Sequence, residues 1–376
     1  MDTKNTLLFG NGINIQFGDK ENSNREIILR AINETKQQDY PRHIIVDEPV
    51  LILQLLGYLY AQIGDILDHK YDQYAFTTDE KNSLNDFIER YEKWDSINLV
   101  DVGFEDYYLI YDLFCYKNKI YNPDKFYIRE ALKCFFLYSI YNHGKVEKIY
   151  YNYPNGLKEF FGQFQDIFTT NYDKNVEIFS GQKINYLHGS FYIKKDIYKP
   201  NSLRNSLSDR PINNCVIDDE HFYLYSNALT SYSGNSKLFI IKQAILANEG
   251  MDKFAKGYIE KPEIQQDVDM WKNDENILVK NLYETIKIKI NNPDMKFDEN
   301  YPIKEFEAIK GTLTIVGLSP NNDIHIFEMI DNNQKIKKII FYYYEKSQIE
   351  DVKKLITHHK DILEFEEVQK LWKEYE

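Results

Sequence analysis

Residues 6–14 read TLLFGNGIN and give the first indication of the fold. The apolar run Thr6–Phe9 passes directly into the glycine turn Gly10-Asn11-Gly12, and a mixed segment then extends to about residue 32. A strand, a glycine turn and a helix in this order are typical of an α/β protein. Glycines at such a turn let the backbone approach a pyrophosphate, whose charge is favoured at the N-terminus of the helix. The stretch therefore predicts either a nucleotide-binding turn or a plain tight turn.

This turn departs from the full dinucleotide-binding pattern. Ile15 stands where GxGxxG needs its third glycine, and no acidic residue about 20 positions further on is well placed to hold a ribose. On this segment alone, both interpretations of the turn remain open.

Further strand-like segments occur later in the chain, and several end in a glycine or a small polar residue. They are DIFTT at 166–170, INYLH at 184–188, GTLTIVGL at 311–318 and KKIIFYYY at 337–344. Helical segments separate them, and this alternation predicts an α/β fold with a Rossmann-like parallel sheet flanked by helices. Because ligands of such sheets bind at the carboxyl ends of the strands, the turns Gly10–Asn14, Thr169–Asp173 and Gly317–Asp323 should converge.

The chain is interpreted as a single domain, 1–376, with a large helical insertion after the first strand and helix. Its core is predicted to comprise 1–40 and 160–350. Helical periodicity of apolar residues marks the insertion at about 41–155. The C-terminal segment 347–376 is also predicted to be helical.

Composition excludes several classes of function. The 376 residues include 46 basic and 59 acidic ones, a formal charge of −13, so direct binding of nucleic acid is not expected. We find no apolar run of the ~20 residues that a membrane span needs, which favours a soluble, cytoplasmic protein. The three cysteines, Cys115, Cys134 and Cys215, form no CxxC pair. Neither a disulfide framework nor a cysteine zinc site is therefore expected.

Asn171 lies just past the end of the predicted strand at 166–170, in the segment FTTNYD. Its side-chain amide can offer a donor and an acceptor to a sugar hydroxyl or to a water. The alternative is an Asx turn, in which the side chain bonds its own backbone.

His188 precedes Gly189 at the end of the next strand and could act as a base near neutral pH. A single histidine is more often structural, and His143-Gly144 offers a second such dipeptide whose glycine is explained as a helix cap. No HxxxH or HExxH spacing occurs in the sequence, so no histidine metal site is predicted.

Gly317-Leu318-Ser319 follows the strand at 311–318 and resembles one more turn from strand to helix. Ser319 or Asn321 would cap the following helix, and Asp323 would lie in its first turn. The functional interpretation places this turn around an adenosine ribose.

The order of these four segments resembles that of the sirtuins. In that family a glycine-rich turn opens the NAD fold, an Asn in a TxN-x-D segment lies beside the nicotinamide ribose, a His followed by Gly is the catalytic base, and a late turn holds the adenosine ribose. The resemblance implies catalytic roles for Asn171, Asp173 and His188. It implies NAD binding by Gly10, Asn11, Gly12, Asn14, Thr170, Gly317, Ser319 and Asp323.

Two departures from deacylating sirtuins indicate a subgroup. The chain has no pair of CxxC motifs for a zinc ribbon, and GNGIN replaces the usual GAGIS. Both features are similar to bacterial sirtuin-like proteins of antiphage defence, which cleave NAD, and most similar to the sirtuin-like subunit that assembles with a HerA-type ATPase. The AbiH proteins of abortive infection share the GNG start and are a more distant resemblance.

The resemblance implies an NAD glycohydrolase that uses NAD as substrate, needs no metal and works as a homo-oligomer or with an ATPase partner. Asn171 would position the ribose or the attacking water, His188 would remove a proton, and Asp173 would support this geometry. Two alternatives are an NAD-dependent protein deacylase and a non-catalytic NAD-binding subunit that controls a partner. The missing zinc ribbon disfavours the first.

Overall fold

A computed structural model describes residues 4–37, 40–41, 49–212, 218–229, 235–298 and 301–376. Within these ranges six parallel strands form one sheet flanked by many helices, so the predicted α/β class is confirmed. The strands are β1 Asn5–Phe9, β2 Asp166–Thr169, β3 Ile184–Tyr186, β4 Gly311–Val316, β5 Ile336–Tyr343 and β6 Leu363–Glu367.

The α-helices of the described residues occupy the connections between these strands. They are α1 Gly12–Gly18, α2 Asn24–Glu34, α3 Pro49–Ala61, α4 Ile63–Leu67, α5 Thr78–Tyr91, α6 Asp106–Asn118, α7 Asp124–Tyr141, α8 Leu157–Gly162, α9 Asn175–Ser180, α10 Leu203–Ser206, α11 Asn235–Glu260, α12 Pro262–Met270, α13 Ile277–Asn291, α14 Ile303–Glu307, α15 Ile324–Asp331, α16 Ser347–Leu355 and α17 Val368–Glu374.

The strand order is β3-β2-β1-β4-β5-β6, which is the order of the Rossmann fold. Phe9 at the end of β1 lies beside Thr169 of β2 on one side and Val316 of β4 on the other. From β1 the chain adds β2 and β3 on one side of the sheet, and from β4 onward it adds strands on the other side. The position between β1 and β4 is therefore a switch point, and ligands of open α/β sheets bind at such points. The glycine turn after β1 therefore lies where this fold places its ligand.

Both faces of the sheet are covered, as an all-parallel sheet requires. Successive side chains of a strand point to opposite faces. In β1, Leu7 packs in one hydrophobic cluster with the helices of the insertion, whereas Leu8 packs in a second cluster with α15 and β5. Both leucines are fully buried, which explains the continuous apolar run in this part of the sequence.

The described part of the insertion is helical, from α3 to α7, and packs in the first cluster. Among the described residues, one stretch, Pro49–Leu67, is long and apolar enough to cross a membrane by length and composition alone. The sequence analysis recognised no such stretch. One face of it, including Ile52, Leu56 and Leu59, is buried in the protein core, whereas Val50, Leu51 and Tyr58 are exposed.

The C-terminal segment 347–376 was predicted to be helical, and this prediction is wrong at β6. The strand has the sequence LEFEE, and its side chains alternate between partly buried and exposed. It is an edge strand that pairs with β5, and Lys338 forms an ion pair with Glu364 across the two strands at 2.7 Å. Five residues of weak alternation between two helices carry too short a pattern to be distinguished from helix by periodicity.

Candidate functional site

The glycine turn after β1 packs directly on the turn after β4. The amide of Gly10 donates to the carbonyl of Val316 at 3.0 Å, and the amide of Gly12 donates to the carbonyl of Gly317 at 2.9 Å. A Cβ on Gly12 would lie 2.5 Å from the Cα of Gly317, which itself has a φ of +67°. These three glycines are therefore required for the close approach of two backbone segments at the switch point.

Asn14 and Asp173 join the first turn to the turn after β2. The Asn14 side-chain amide donates to Asp173 Oδ2 at 2.7 Å. Asp173 Oδ1 accepts from the backbone N–H of Asn175 at 3.0 Å and from its side-chain amide at 2.6 Å. Burial raises the pKa of Asp173, while these hydrogen bonds act in the opposite direction. We call Asn14, Asp173 and Asn175 the amide–carboxylate network.

Asn171 lies two residues before Asp173 and is 6% exposed. Its backbone N–H donates to Thr169 Oγ1 at 3.0 Å. Its Nδ2, like Oδ1 of Asn14, is buried without a hydrogen-bond partner among the described residues. A buried polar atom left unpaired costs about 1–3 kcal/mol. One donor and one acceptor at this edge of the sheet are thus available to a ligand.

His188 follows β3 and contacts a second histidine. Its Nε2 lies 2.9 Å from Nε2 of His325, and the two rings are 5.0 Å apart between centroids. Burial lowers the pKa of each histidine well below its usual range, and the nearby cation of Lys237 lowers it further. Both imidazoles are therefore neutral at pH 7, and one of them donates its proton to the other.

Asp323 occupies the N-cap position of α15, where Ser319 or Asn321 was predicted, but its side chain makes no capping hydrogen bond. Its backbone N–H donates to the carbonyl of Ser319 at 3.1 Å. Burial raises the pKa of the Asp323 carboxyl to about 7, with the charge of Lys237 opposing this shift.

Lys237 and Glu105 form a buried ion pair beside these groups. Lys237 lies near the start of α11, and Glu105 immediately precedes α6 in the helical insertion. The hydroxyl of Tyr172, within the TTNYD segment, lies 3.5 Å from the Glu105 carboxylate. The pair therefore links the insertion, α11 and the turn after β2.

Two further predicted residues, Thr170 and Asn11, lie on the same turns and form hydrogen bonds to backbone carbonyls. Thr170 donates its N–H to the carbonyl of Phe9 at 3.2 Å, and Asn11 donates its side-chain amide to the carbonyl of Asn22 at 2.8 Å. Asn11 is exposed. The predicted NAD contacts of these residues stay predictions.

His188, Asp323 and His325 each offer one ligand atom, and these atoms lie within 4.8 Å of one another. The sequence analysis singled out His188 and Asp323 but missed His325, Lys237 and Glu105. The DIH sequence at 323–325, directly after a predicted strand and turn, could have indicated His325. The HxxxH and HExxH motifs place two histidines on one helix, whereas His188 and His325 lie 137 positions apart.

Of the three cysteines, Cys115 is buried in α6, Cys134 lies partly buried in α7, and Cys215 falls outside the described residues. Comparison of the chain with known protein families, with characterised proteins and with solved structures gives no match. The resemblance to sirtuins therefore depends on the four short segments and on the site described above.

Proposed function

We propose that the protein binds NAD at the carboxyl edge of the sheet, across the switch point between β1 and β4, and cleaves the bond between nicotinamide and ribose. One observation carries this proposal. Asn171, two residues after β2, has a buried amide with an unused donor, and His188, two residues after the neighbouring strand β3, has a neutral imidazole. Both residue types fit the positions that the sirtuin resemblance gives them.

The chemistry requires stabilisation of positive charge on the ribose and a correctly placed nucleophile. A neutral imidazole can accept a proton from a ribose hydroxyl or from the attacking water, and His188 takes this role. The Asn171 amide positions the ribose or the water. Asp173 acts through Asn14 and Asn175, so we assign it a positioning role and not direct contact with the reacting atoms.

Hydrolysis is favoured over protein deacylation by the segment between β3 and β4. In sirtuins that deacylate proteins, this part of the chain carries the zinc ribbon. Here residues 187–310 contain a single cysteine, Cys215, and the described part includes helices α10–α13 around a third hydrophobic cluster. The cysteine pairs of that zinc ribbon have no counterpart in this sequence.

The site is closed in this structure, which suggests that activity is controlled. Asn171, His188 and Asp323 are each less than one-tenth exposed, and the Lys237–Glu105 pair links the elements around them. NAD entry requires these elements to separate. We propose that assembly, as a homo-oligomer or with a HerA-type ATPase, drives this opening and depletes NAD in antiphage defence.

The decisive experiment follows nicotinamide release by the purified chain, alone and with a co-expressed ATPase encoded beside its gene. We expect slow turnover by the isolated chain and faster turnover in the assembly, with the mass of each species measured by light scattering. Turnover should survive treatment with a strong chelator. Tight NAD binding without any nicotinamide release, in every assembly state, would favour the non-catalytic subunit and overturn the proposal.

A further inference from the structure

His188, Asp323 and His325 form a cluster whose composition differs from anything the proposed NAD chemistry requires. We call these three residues the histidine–aspartate cluster. His188 follows β3, whereas Asp323 lies at the N-cap of α15 and His325 in its first turn, 135 and 137 residues further along the chain. Two imidazoles and one carboxylate are a common ligand set for zinc and for other divalent transition metals.

The distances within the cluster suit a single ion. Zinc binds imidazole nitrogen and carboxylate oxygen at about 2.0–2.2 Å, so two ligand atoms on one ion lie roughly 3–3.5 Å apart. The two Nε2 atoms are 2.9 Å apart, and the three ligand atoms all lie within 4.8 Å of one another. Small side-chain rotations would bring them to bonding distance.

Hydrogen bonds within the protein leave this cluster incompletely satisfied. Nδ1 of His325 is buried without a partner among the described residues, in a side chain that is fully buried. The same ring contacts His188 through its other nitrogen. Buried polar atoms are normally hydrogen-bonded, so this ring has bonding capacity that the described protein groups do not use.

The charges around the cluster also favour a cation. Lys237 is paired with Glu105, which offsets part of its positive charge, although this charge still acts on all three residues of the cluster. The Asp323 carboxylate is left without a cationic partner of its own among the described residues. A bound divalent ion would neutralise this charge in a buried environment, where an unpaired charge is costly.

We propose that His188, Asp323 and His325 bind one divalent transition-metal ion of the zinc class. This inference goes beyond the proposed function and shares with it His188, the proposed base, and Asp323, one of the residues that close the site. An ion on the ring nitrogen of His188 would occupy the lone pair that accepts the proton. Metal binding should therefore slow NAD cleavage, and metal removal should leave cleavage intact or increase it.

The test measures metal binding without NAD. Chelator-treated full-length protein is dialysed against Zn²⁺ and its zinc content is determined, and Co²⁺ serves as an optical probe of ligand type. We expect one ion per chain in the wild type. In His325→Gln and in Asp323→Asn the affinity should fall at least ~10-fold, because even groups that only support metal ligands have effects of that size.

Two further variants separate the site from adventitious binding and from misfolding. His69 is exposed and lies 3.1 Å from Asp72, so His69→Ala is a matched removal of a surface histidine–carboxylate pair and should retain the ion. His325→Cys should also retain it and should add a thiolate-to-Co²⁺ absorption band, since thiolates are good ligands for this class of ion.

Equal metal binding by the wild type, His325→Gln and Asp323→Asn, with native circular dichroism, would overturn the inference. So would the absence of a thiolate band in a folded His325→Cys. If the wild type binds metal but never releases nicotinamide, only the proposed function fails. If it cleaves NAD and binds no metal, only this inference fails.

Discussion

The amide–carboxylate network and the histidine–aspartate cluster are two buried polar groups at the same edge of one sheet, and they differ in how fully they are bonded. In the network, both oxygens of Asp173 accept hydrogen bonds from Asn14 and Asn175. In the cluster, the side chains of His188 and His325 bond each other, and a ring nitrogen of His325 has no partner among the described residues.

This difference teaches how to divide the predicted site residues. Fully bonded polar groups fix the turns relative to one another, whereas underused ones have capacity left for a ligand. By this criterion Asp173 has a structural role, whereas Asp323 is available to a ligand. The sequence had predicted a catalytic role for Asp173 and a ribose contact for Asp323. Asn171 has one unused polar atom, and so does Asn14, although its side-chain amide belongs to the network.

The strongest test of the cluster is removal of His188. We expect His188→Ala to reduce nicotinamide release by ~10²–10⁴-fold, the range for loss of a positioned general base. His188→Gln, which retains more of the buried volume, should lose activity to the same extent. Thermal unfolding and circular dichroism of both variants check that the fold is retained.

The matched control for this test is His143→Ala. His143 bonds Glu34 at 3.0 Å in a part of the protein distant in sequence from the strand ends, so turnover should remain near normal. If His188→Ala still turns over NAD at the wild-type rate, His188 has no role in the mechanism. The proposed difference in role between the cluster and the network is then wrong.

The second test addresses the unused amide of Asn171. We expect Asn171→Ala to lower the turnover rate by about 10²-fold, with a smaller effect on NAD affinity, because an interaction made mainly in the transition state appears in kcat. Steady-state kinetics and equilibrium binding of NAD separate the two effects. A loss confined to affinity would instead give Asn171 a simple binding role.

Much of this edge could be predicted from the sequence because strand ends and turn residues are local features. The apolar run at 6–9 and the glycines after it indicate β1 and its turn correctly, and the segment at 311–318 does so for β4. The Rossmann fold then places Asn171 and His188 just after the adjacent strands β2 and β3.

Contacts between distant elements could not be predicted in this way. His325 is fully buried in the amphipathic helix α15, and its pairing with His188 depends on how this helix packs against the turn after β3. Lys237 and Glu105 belong to α11 and to the helical insertion, and nothing in their local sequence indicates that the charges meet. No periodicity or spacing rule relates residues that are 132 positions apart.

A third test breaks the amide–carboxylate network. In Asp173→Asn, one of the two acceptor oxygens becomes a donor that faces the amide of Asn14 or of Asn175. We expect a loss of roughly 1–3 kcal/mol in the free energy of unfolding, the cost of an unsatisfied buried polar group. Denaturant unfolding measures it. Unchanged stability together with abolished NAD cleavage would reverse the division and give Asp173 a direct catalytic role.

The smallest expected effect concerns Glu147, which lies near the network and titrates close to neutral pH. Burial and, less strongly, the charge of Asp173 raise the pKa of its carboxyl to about 7, while the backbone N–H of Lys174 acts in the opposite direction. Because the folded state holds this proton more tightly than the unfolded state, Glu147 lowers the stability of the protein as the pH rises from about 4.5 to about 7. The full cost is present above pH 7 and absent below about pH 4.5.

Glu147→Gln removes this titration and keeps an oxygen that can accept from Lys174. We expect the variant to match the wild type near pH 4.5 and to be more stable by about 1–2 kcal/mol at pH 8, a value reduced for the partial exposure of the side chain. Denaturant unfolding across this range measures the difference, and comparison with the wild type cancels the slopes contributed by Asp86 and Asp323, whose pKa values burial also raises.

Glu159→Gln, on the exposed face of α8, is the control for removal of a carboxylate of the same type and should not change the pH dependence. If the charge of Asp173 contributes as we infer, the pH-dependent gain from Glu147→Gln should shrink in the Asp173→Asn background, since two interacting sites are not additive. An identical gain in both backgrounds would show that the network has no electrostatic effect on the pKa of Glu147, because Asp173 is already protonated in the folded protein.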